Sequence, residues 1–152
     1  MAIQKSVRWQ DFDIRIGDGG NPETFTAPCG LRSRGMNLTS NTSEVALLDC
    51  ATPEAASWMN RNVVANMASI SGSGTLHPPY ISTWWEFFQG AQPKNVRVYV
   101  DIPNSDGGGY WQGGFILTTC NFTGSRDDQG GTVVIEVELQ SDGEVTWTDA
   151  SA

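Results

Sequence analysis

The sequence has 152 residues, of which nine are Lys or Arg and seventeen are Asp or Glu, so its formal net charge is −8. This acidic balance argues against a protein that holds DNA or RNA through phosphate contacts. The length suits one domain, the 39% of hydrophobic residues suffices for a packed core, and no window approaches the roughly 20 apolar residues of a membrane span.

The first predicted element is a β-strand from Phe12 to Ile16, where apolar and charged residues alternate with the period of a half-buried strand. The glycines and the proline of the following GDGGNPE segment force a turn, and a second strand begins near Thr24. This region therefore predicts a β-hairpin.

Residues 30–54 are polar and weakly patterned, with no apolar stripe to anchor them on a core. They predict either a mobile loop or an arm that becomes ordered against a neighbouring chain. From Val63 to Leu76 the chain is again predicted to be extended. Gly72 and Gly74 lie on the apolar face of that stretch, where small residues permit close backbone approach or a sharp bend.

The His-Pro-Pro sequence at residues 77–79 ends this strand, and Tyr80 to Gln89 predict a short helix that stops at Gly90. One flank of the helix is apolar and is predicted to fill the core. It consists of Ile81, Trp84, Trp85 and Phe88.

Four further strands are predicted after the helix, joined by glycine-rich turns. They cover Asn95 to Ile102, Tyr110 to Phe122, Thr132 to Leu139 and, as a short last strand, Glu144 to Thr148. Sequential strands with tight turns predict a mainly β fold, namely an antiparallel sandwich or partly closed barrel with one short helix.

The charge is uneven along the chain. Residues 98–152 contain nine acids and one base, whereas residues 1–34 contain five bases and four acids. Identical copies could therefore attract one another through unlike ends, although a solvated acidic surface is the commoner explanation.

Cysteines 29, 50 and 120 lack CxxC spacing, which predicts reduced thiols rather than a disulfide framework or a zinc site. The N-terminal residues contain no apolar run typical of a signal peptide, so we expect synthesis in a cytoplasm.

Catalytic signals are weak throughout the sequence. The sole histidine, His77, stands beside two prolines in a turn. Paired carboxylates for a small hydrolase can be proposed, but such spacing occurs on any solvated strand; the pairs are Asp11 with Asp13, Asp127 with Asp128, and Glu136 with Glu138. The SRDDQGGT segment could hold calcium but is better explained as a turn. We expect no enzyme, metal or cofactor.

A carbohydrate-binding β-sandwich module is the alternative function. Exposed aromatic residues such as Tyr110 and Trp111 could stack on sugar rings. The lack of a secretion signal argues against this alternative.

Several segments together resemble a known family. The N-terminal MAIQKSVRWQDFDIRIGDGGNPETFTAPCGLRS, the polar segment, SISGSGTL, the aromatic helix and VVIEVELQSDGEVTWTDA follow one another as in the major tail tube proteins of long-tailed phages and gene transfer agents. The likeness covers most of the chain. It departs at VDIPNSDGGGYWQGG and in the asparagine-rich residues 37–62.

The resemblance implies one tail tube domain over residues 1–152, whose copies form hexameric rings that stack into a hollow tube for DNA delivery. It implies a virion protein assembled in the bacterial cytoplasm, without a membrane partner. Further partners would be the tape measure, tail terminator and distal tail or baseplate proteins, and DNA would only pass through. Neighbour contacts would come from a polymerisation loop at about residues 31–54 and from residues 2–10 and 144–152. The interface candidates are Lys5, Arg8, Arg32, Arg34, Leu38, Val45, Leu47, Leu48 and Trp147.

Wall carboxylates would keep DNA from adhering to such a tube, because charges repel phosphates within a Debye length of about 8 Å at physiological salt. We expect Glu136 and Glu138 to face the lumen, with Asp11, Asp13 and Asp101 as weaker candidates. The competing interpretation places these acids on the outside, where they favour solubility.

Overall fold

A computed structural model describes residues 3–124, 126 and 131–151 of the chain. Its single antiparallel sheet has seven strands, in the order β2-β1-β5-β6-β7-β4-β3. They are β1 (Phe12–Gly17), β2 (Phe25–Thr26), β3 (Leu31–Leu47), β4 (Trp58–Thr75), β5 (Lys94–Val100), β6 (Gly109–Thr123) and β7 (Val134–Asp149). One α-helix, α1 (Ile81–Gly90), joins β4 to β5. The predicted mainly β, antiparallel fold with one short helix is confirmed.

The alternation seen in the sequence sets which face of the sheet is buried. Residues with even numbers in β1 and β5 and with odd numbers in β7 point into one core, and their charged neighbours point away from it. The sheet curves around this core, which α1 also covers. The buried core residues are Ile14, Ile16, Leu31, Ala68, Ile70, Trp84, Phe87, Val96, Val98, Phe115, Leu117, Ile135, Val137 and Leu139.

The curvature brings opposite ends of the sheet together without closing it. Arg34 on the edge strand β3 donates a hydrogen bond of 2.6 Å from Nη1 to the carbonyl oxygen of Phe12 on β1. The same nitrogen lies 3.5 Å from the carboxylate of Asp13. The guanidinium also covers the ring of Trp9, 4.3 Å from its centroid. One arginine thus bridges the open seam between β1 and β3.

The polar residues 30–54 are largely a strand, not the mobile loop that was one of the two predictions. β3 and β4 pair continuously from Leu31 with Gly74 to Leu47 with Trp58. β7 pairs with β4 only from Ser69 onward, so residues 38–67 extend from the sheet as a two-stranded hairpin, here called the arm. Each strand of the arm has ten residues, 38–47 and 58–67, so the arm is about 33 Å long.

Backbone ladders explain why a polar sequence forms this arm. Every residue of the arm is exposed, so burial contributes little and cross-strand pairing contributes most. A register shift beside Asn41 leaves Val64 unpaired opposite β3. This β-bulge shifts the alternation of side chains by one residue, so the sequence of the strand shows no continuous period-two pattern.

The predicted close backbone approach on β4 is confirmed. A Cβ atom at Gly74 would collide with the carbonyl oxygen of Gly30, and one at Gly72 would lie 3.2 Å from the side chain of Leu31. Gly30 itself has φ of 101°, a conformation that favours glycine. The turn into β3 therefore packs directly on β4.

The predicted core face of the helix is only partly correct. Trp84 is buried, but its core partner is Phe87, one turn further along. The other predicted members of the apolar flank, namely Ile81, Trp85 and Phe88, are 43%, 58% and 52% exposed. The predicted short last strand is the second half of β7, after a bend at Gly143, where φ is 98°.

Candidate functional surfaces

The outer face of the sheet, which points away from the core, divides into two chemically different halves. One half lies on β3, β4, β7 and the second part of β6. The other lies on β2, β1, β5 and the first part of β6. The boundary falls within β6, where two register shifts near Gly113 and Leu117 change the strand's direction.

The first half, here called the polar face, carries both predicted lumen glutamates. Glu138 lies between Ser71 and Thr119, and Glu136 lies between Ser73 and Asn121, in two adjacent cross-strand rows. Hydroxyl and amide groups therefore surround both carboxylates. The polar face comprises Ser33, Asn37, Ser69, Ser71, Ser73, Thr119, Asn121, Glu136, Glu138 and Gln140.

The second half, here called the Arg–Tyr face, is a ladder of stacked cations and rings. Arg97 lies 4.0 Å from the Phe25 ring centroid and 4.5 Å from that of Tyr110. Tyr110 packs on Tyr99 at 5.1 Å, and Arg15 covers Tyr99 at 4.3 Å. Such contacts stabilise partly desolvated guanidinium groups. This face was not predicted from the sequence, although Arg97 and Tyr99 alternate with valines on one side of β5 and were a usable signal.

The three weaker lumen candidates lie away from the polar face. Asp13 is partly buried and accepts a hydrogen bond of 3.1 Å from Arg15 Nε, with Arg34 on its other side. Asp11 is half-buried in a short turn before β1, and Asp101 is exposed just after β5. Of the five predicted acids, only Glu136 and Glu138 lie on the polar face.

The arm concentrates exposed apolar side chains. The predicted interface residues Leu38, Val45, Leu47 and Leu48 are all more than half exposed. Five further apolar residues of the arm, which sequence reasoning missed, are similarly exposed: Trp58, Met59, Val63, Val64 and Met67. In the part of the chain that the structure describes, the outer edge of β3 pairs with no strand. An edge of this length is a template for pairing with another chain.

A groove of about 520 Å³ lies at the base of the arm, and it brings two predicted interface residues together. Leu38 and Met67 form one side of it, and Val145 and Trp147 form the other. Trp147 packs on Trp111 at 4.6 Å between ring centroids. The rest of the lining is mixed, because Thr39, Ser40, Asn66 and Ser141 add polar groups and Glu144 adds a carboxylate. It is referred to below as the arm-base groove.

The four basic interface candidates occupy four different settings. Arg34 is engaged within the subunit, as described above. Arg32 is exposed in a second groove beside Gly30, and it also lines a groove with Glu136. Lys5 forms an ion pair with Asp106. Arg8 is exposed in the N-terminal segment.

A small apolar pocket of about 270 Å³ lies between the exposed side of α1 and β6. Trp85 and Phe88 line one side, and Phe122 and Cys120 line the other. Burial raises the pKa of the Cys120 thiol, so this thiol is kept protonated. Cys29 and Cys50 are exposed.

Sugar stacking and paired-carboxylate chemistry find little geometric support. Tyr110 belongs to the Arg–Tyr face, whereas Trp111 points to the opposite side and packs on Trp147. They form no common platform. Residues 127 and 128, one of the three predicted acid pairs, lie outside the described residues. Among the residues described, no group of three His, Cys, Asp or Glu could hold a metal ion, and no helix is long and apolar enough to cross a membrane.

The comparison with protein families matches residues 7–147 to the model of the phage tail tube protein family. Nothing among curated proteins matches the chain.

Solved structures share the fold across nearly the whole chain. A protein in the tail of an empty gene transfer agent particle, refined with C6 symmetry, is 22% identical, with a TM-score of 0.73 over 94% of this chain and 99% of that one. A chain of the SPP1 tail tube is 13% identical, with a TM-score of 0.64 over 95% and 80%. A chain of the sheath–tube complex of an extracellular contractile injection system is 14% identical, with a TM-score of 0.63 over 97% and 95%.

Proposed function

Because the chain belongs to the phage tail tube protein family and is a structural protein of the tail tube, we propose that six copies form a ring and that rings stack into a hollow tube. The ring number is supported by the C6 symmetry of the similar tail structure. One tail tube domain then covers the chain, and the tube forms the tail of a virion.

The single observation that carries this proposal is the arm. It extends from the sheet, contributes no buried residue, and exposes nine of the seventeen large apolar side chains found exposed in the described residues. An isolated subunit gains little from such a structure, since apolar surface is stabilising only when it leaves water. Neighbouring copies in the same or the next ring would cover it.

The lumen would be lined by the polar face, with Glu136 and Glu138 directed at the passing DNA. Each ring would present these two carboxylates six times, among hydroxyl and amide groups. Such a wall repels phosphates at short range. One cation, Arg32, borders it, in a groove shared with Ser73 and Glu136. The Arg–Tyr face, which presents guanidinium groups, would then lie away from the DNA path.

Other tail proteins complete the proposed assembly. Chains similar to this one occur in solved structures described as a tube-terminating cap and as a sheath/tube terminator. We extend this to a tail terminator, a tape measure protein and distal tail or baseplate proteins as partners here. Synthesis takes place in the bacterial cytoplasm, and the role is structural rather than enzymatic.

Truncating the arm tests the proposed self-assembly. Residues 41–65 are replaced by Asn-Gly, which suits a two-residue hairpin turn. Because no core residue lies in the removed segment, the variant should fold with nearly unchanged thermal stability. It should remain monomeric in analytical ultracentrifugation where the unaltered protein forms tubes visible by negative-stain microscopy. Tubes built from the truncated subunit would refute the role of the arm.

Reversing one charge tests the proposed lumen. Glu136→Lys is compared with Glu86→Lys, which makes the same change on the exposed side of α1. Particles with either variant should assemble, but only Glu136→Lys should slow DNA ejection, by about tenfold, because six lysines would then attract phosphates. Equal ejection rates in the two variants would place Glu136 on the outside of the tube.

A further inference from the structure

We propose that the N-terminal segment of one copy, residues 3–8, docks in the arm-base groove of a neighbouring copy. This inference rests on the proposed tube and names one contact within it. It assigns a ligand to the groove and a place to a segment that the isolated subunit leaves in solvent.

The N-terminal segment has the composition of a docking peptide but only weak contacts with its own subunit. Ile3 is 84% exposed and Val7 is 48% exposed. The side chain of Lys5 is 76% exposed and is held by the single ion pair with Asp106. Exposed ion pairs of this kind contribute little stability, so the segment can leave its position at small cost.

The groove provides apolar surface that can cover the exposed side chains of this segment. Its walls are apolar at Leu38, Met67, Val145 and Trp147, which can cover Ile3 and Val7. In an extended peptide Ile3, Lys5 and Val7 share one side, and Arg8 lies on the other. Lys5 would therefore enter the groove with the two apolar side chains and meet Glu144, which lines it, while Arg8 would stay outside the groove.

Charge complementarity selects this occupant over the arm of another copy. Residues 3–8 carry two bases and no acid, whereas residues 141–149 carry three acids and no base. The arm carries three acids and one base, so the acidic stretch of β7 repels it. The groove of about 520 Å³ is also the size of a site for a few side chains, and it is too small for a hairpin of thirty residues.

Engineered disulfides test the contact directly. Val7→Cys is combined with Thr39→Cys, which lines the groove, and the matched control combines Val7→Cys with Glu86→Cys on α1. Assembled tubes are oxidised with copper phenanthroline and analysed on denaturing gels. The background carries no native thiol, through replacement of Cys29, Cys50 and Cys120.

The groove pair should give a ladder of covalently linked chains, at least tenfold more than the control pair gives. A ladder of equal intensity from the control, or no ladder from the groove pair, would overturn the inference. A fast-migrating monomer would overturn it as well, because the segment would then occupy the groove of its own subunit. If the unaltered protein forms no tubes, the proposed function fails, and this inference fails with it.

Charge exchange provides a second measurement. Lys5→Glu should raise the critical concentration for tube assembly by about tenfold, and Glu144→Lys in the same chain should largely restore it. Asp106→Asn is the control, because it breaks the internal ion pair of Lys5 and leaves the segment's charge intact; assembly should be unchanged or easier. Failure of Glu144→Lys to rescue Lys5→Glu would contradict the pairing.

Discussion

Two adjacent phenylalanines on α1 should respond very differently to truncation. Phe87 is 2% exposed and packs in the core, whereas Phe88 is 52% exposed. Removing a fully buried phenylalanine side chain costs about 3–5 kcal/mol, because both transfer energy and cavity formation oppose it. Phe88→Ala loses only about half of a ring's transfer energy and leaves no enclosed cavity, so it should cost about 1 kcal/mol.

The comparison is best made on the arm-truncated monomer, so that assembly does not mask unfolding. For a chain of this size about 3 °C accompanies each kcal/mol. The melting temperature should therefore fall by about 10 °C for Phe87→Ala and by about 3 °C for Phe88→Ala. Urea unfolding followed by tryptophan fluorescence gives the free energies independently. Equal losses in the two variants would refute this difference in burial, and a larger loss for Phe88→Ala would mean that the helix presents its other flank to the core, as the sequence alone suggested.

Two further outcomes follow from the Arg–Tyr face and from the first turn. Arg97→Met should lower stability by about 2 kcal/mol in urea unfolding, since it removes two ring contacts and the hydrogen bond to Gln112; an unchanged midpoint would show that the ladder is not stabilising. The N–H groups of Gly20 and Thr24 donate to Asp18 and lower the pKa of its carboxyl below the ordinary value of 3.8. The contribution of Asp18 to the free energy of unfolding should therefore be complete above pH 3.8 and disappear as the pH falls through the lowered pKa. An NMR titration midpoint of this carboxyl at or above 3.8 would refute this.

Much of the sheet was predictable because its strands have one solvent-exposed face and one buried face. The alternation around Ile14, Val98 and Val137 identifies both strand and core side, since period two is specific to extended chain. The pair Glu136 and Glu138 also follows from this pattern. Their neighbours on the polar face come from distant parts of the sequence, and only the strand register brings them together.

The arm and the helix show where sequence reasoning stopped. Both faces of the arm are exposed to solvent, so its strands lack a regular alternation of apolar and polar residues. The bulge at Val64 also breaks the period of two. On α1 four of ten residues are aromatic and stand in two adjacent pairs, so the apolar flank is too wide to distinguish Phe87 from Phe88. Arg34 illustrates a third difficulty, because its partners Asp13 and Trp9 meet it only after the sheet has curved.

The strand order also governs when each part of the molecule can form during synthesis. β1 leaves the ribosome first, yet Ile16 pairs with Val96 of β5, so its main partner is not made until two thirds of the chain exists. Leu47 and Trp58, by contrast, pair across a short connection. The hairpin of β3 and β4 can therefore form early, because loops of this length close quickly. A nascent subunit should therefore display its means of attachment before its own hydrophobic interior is complete.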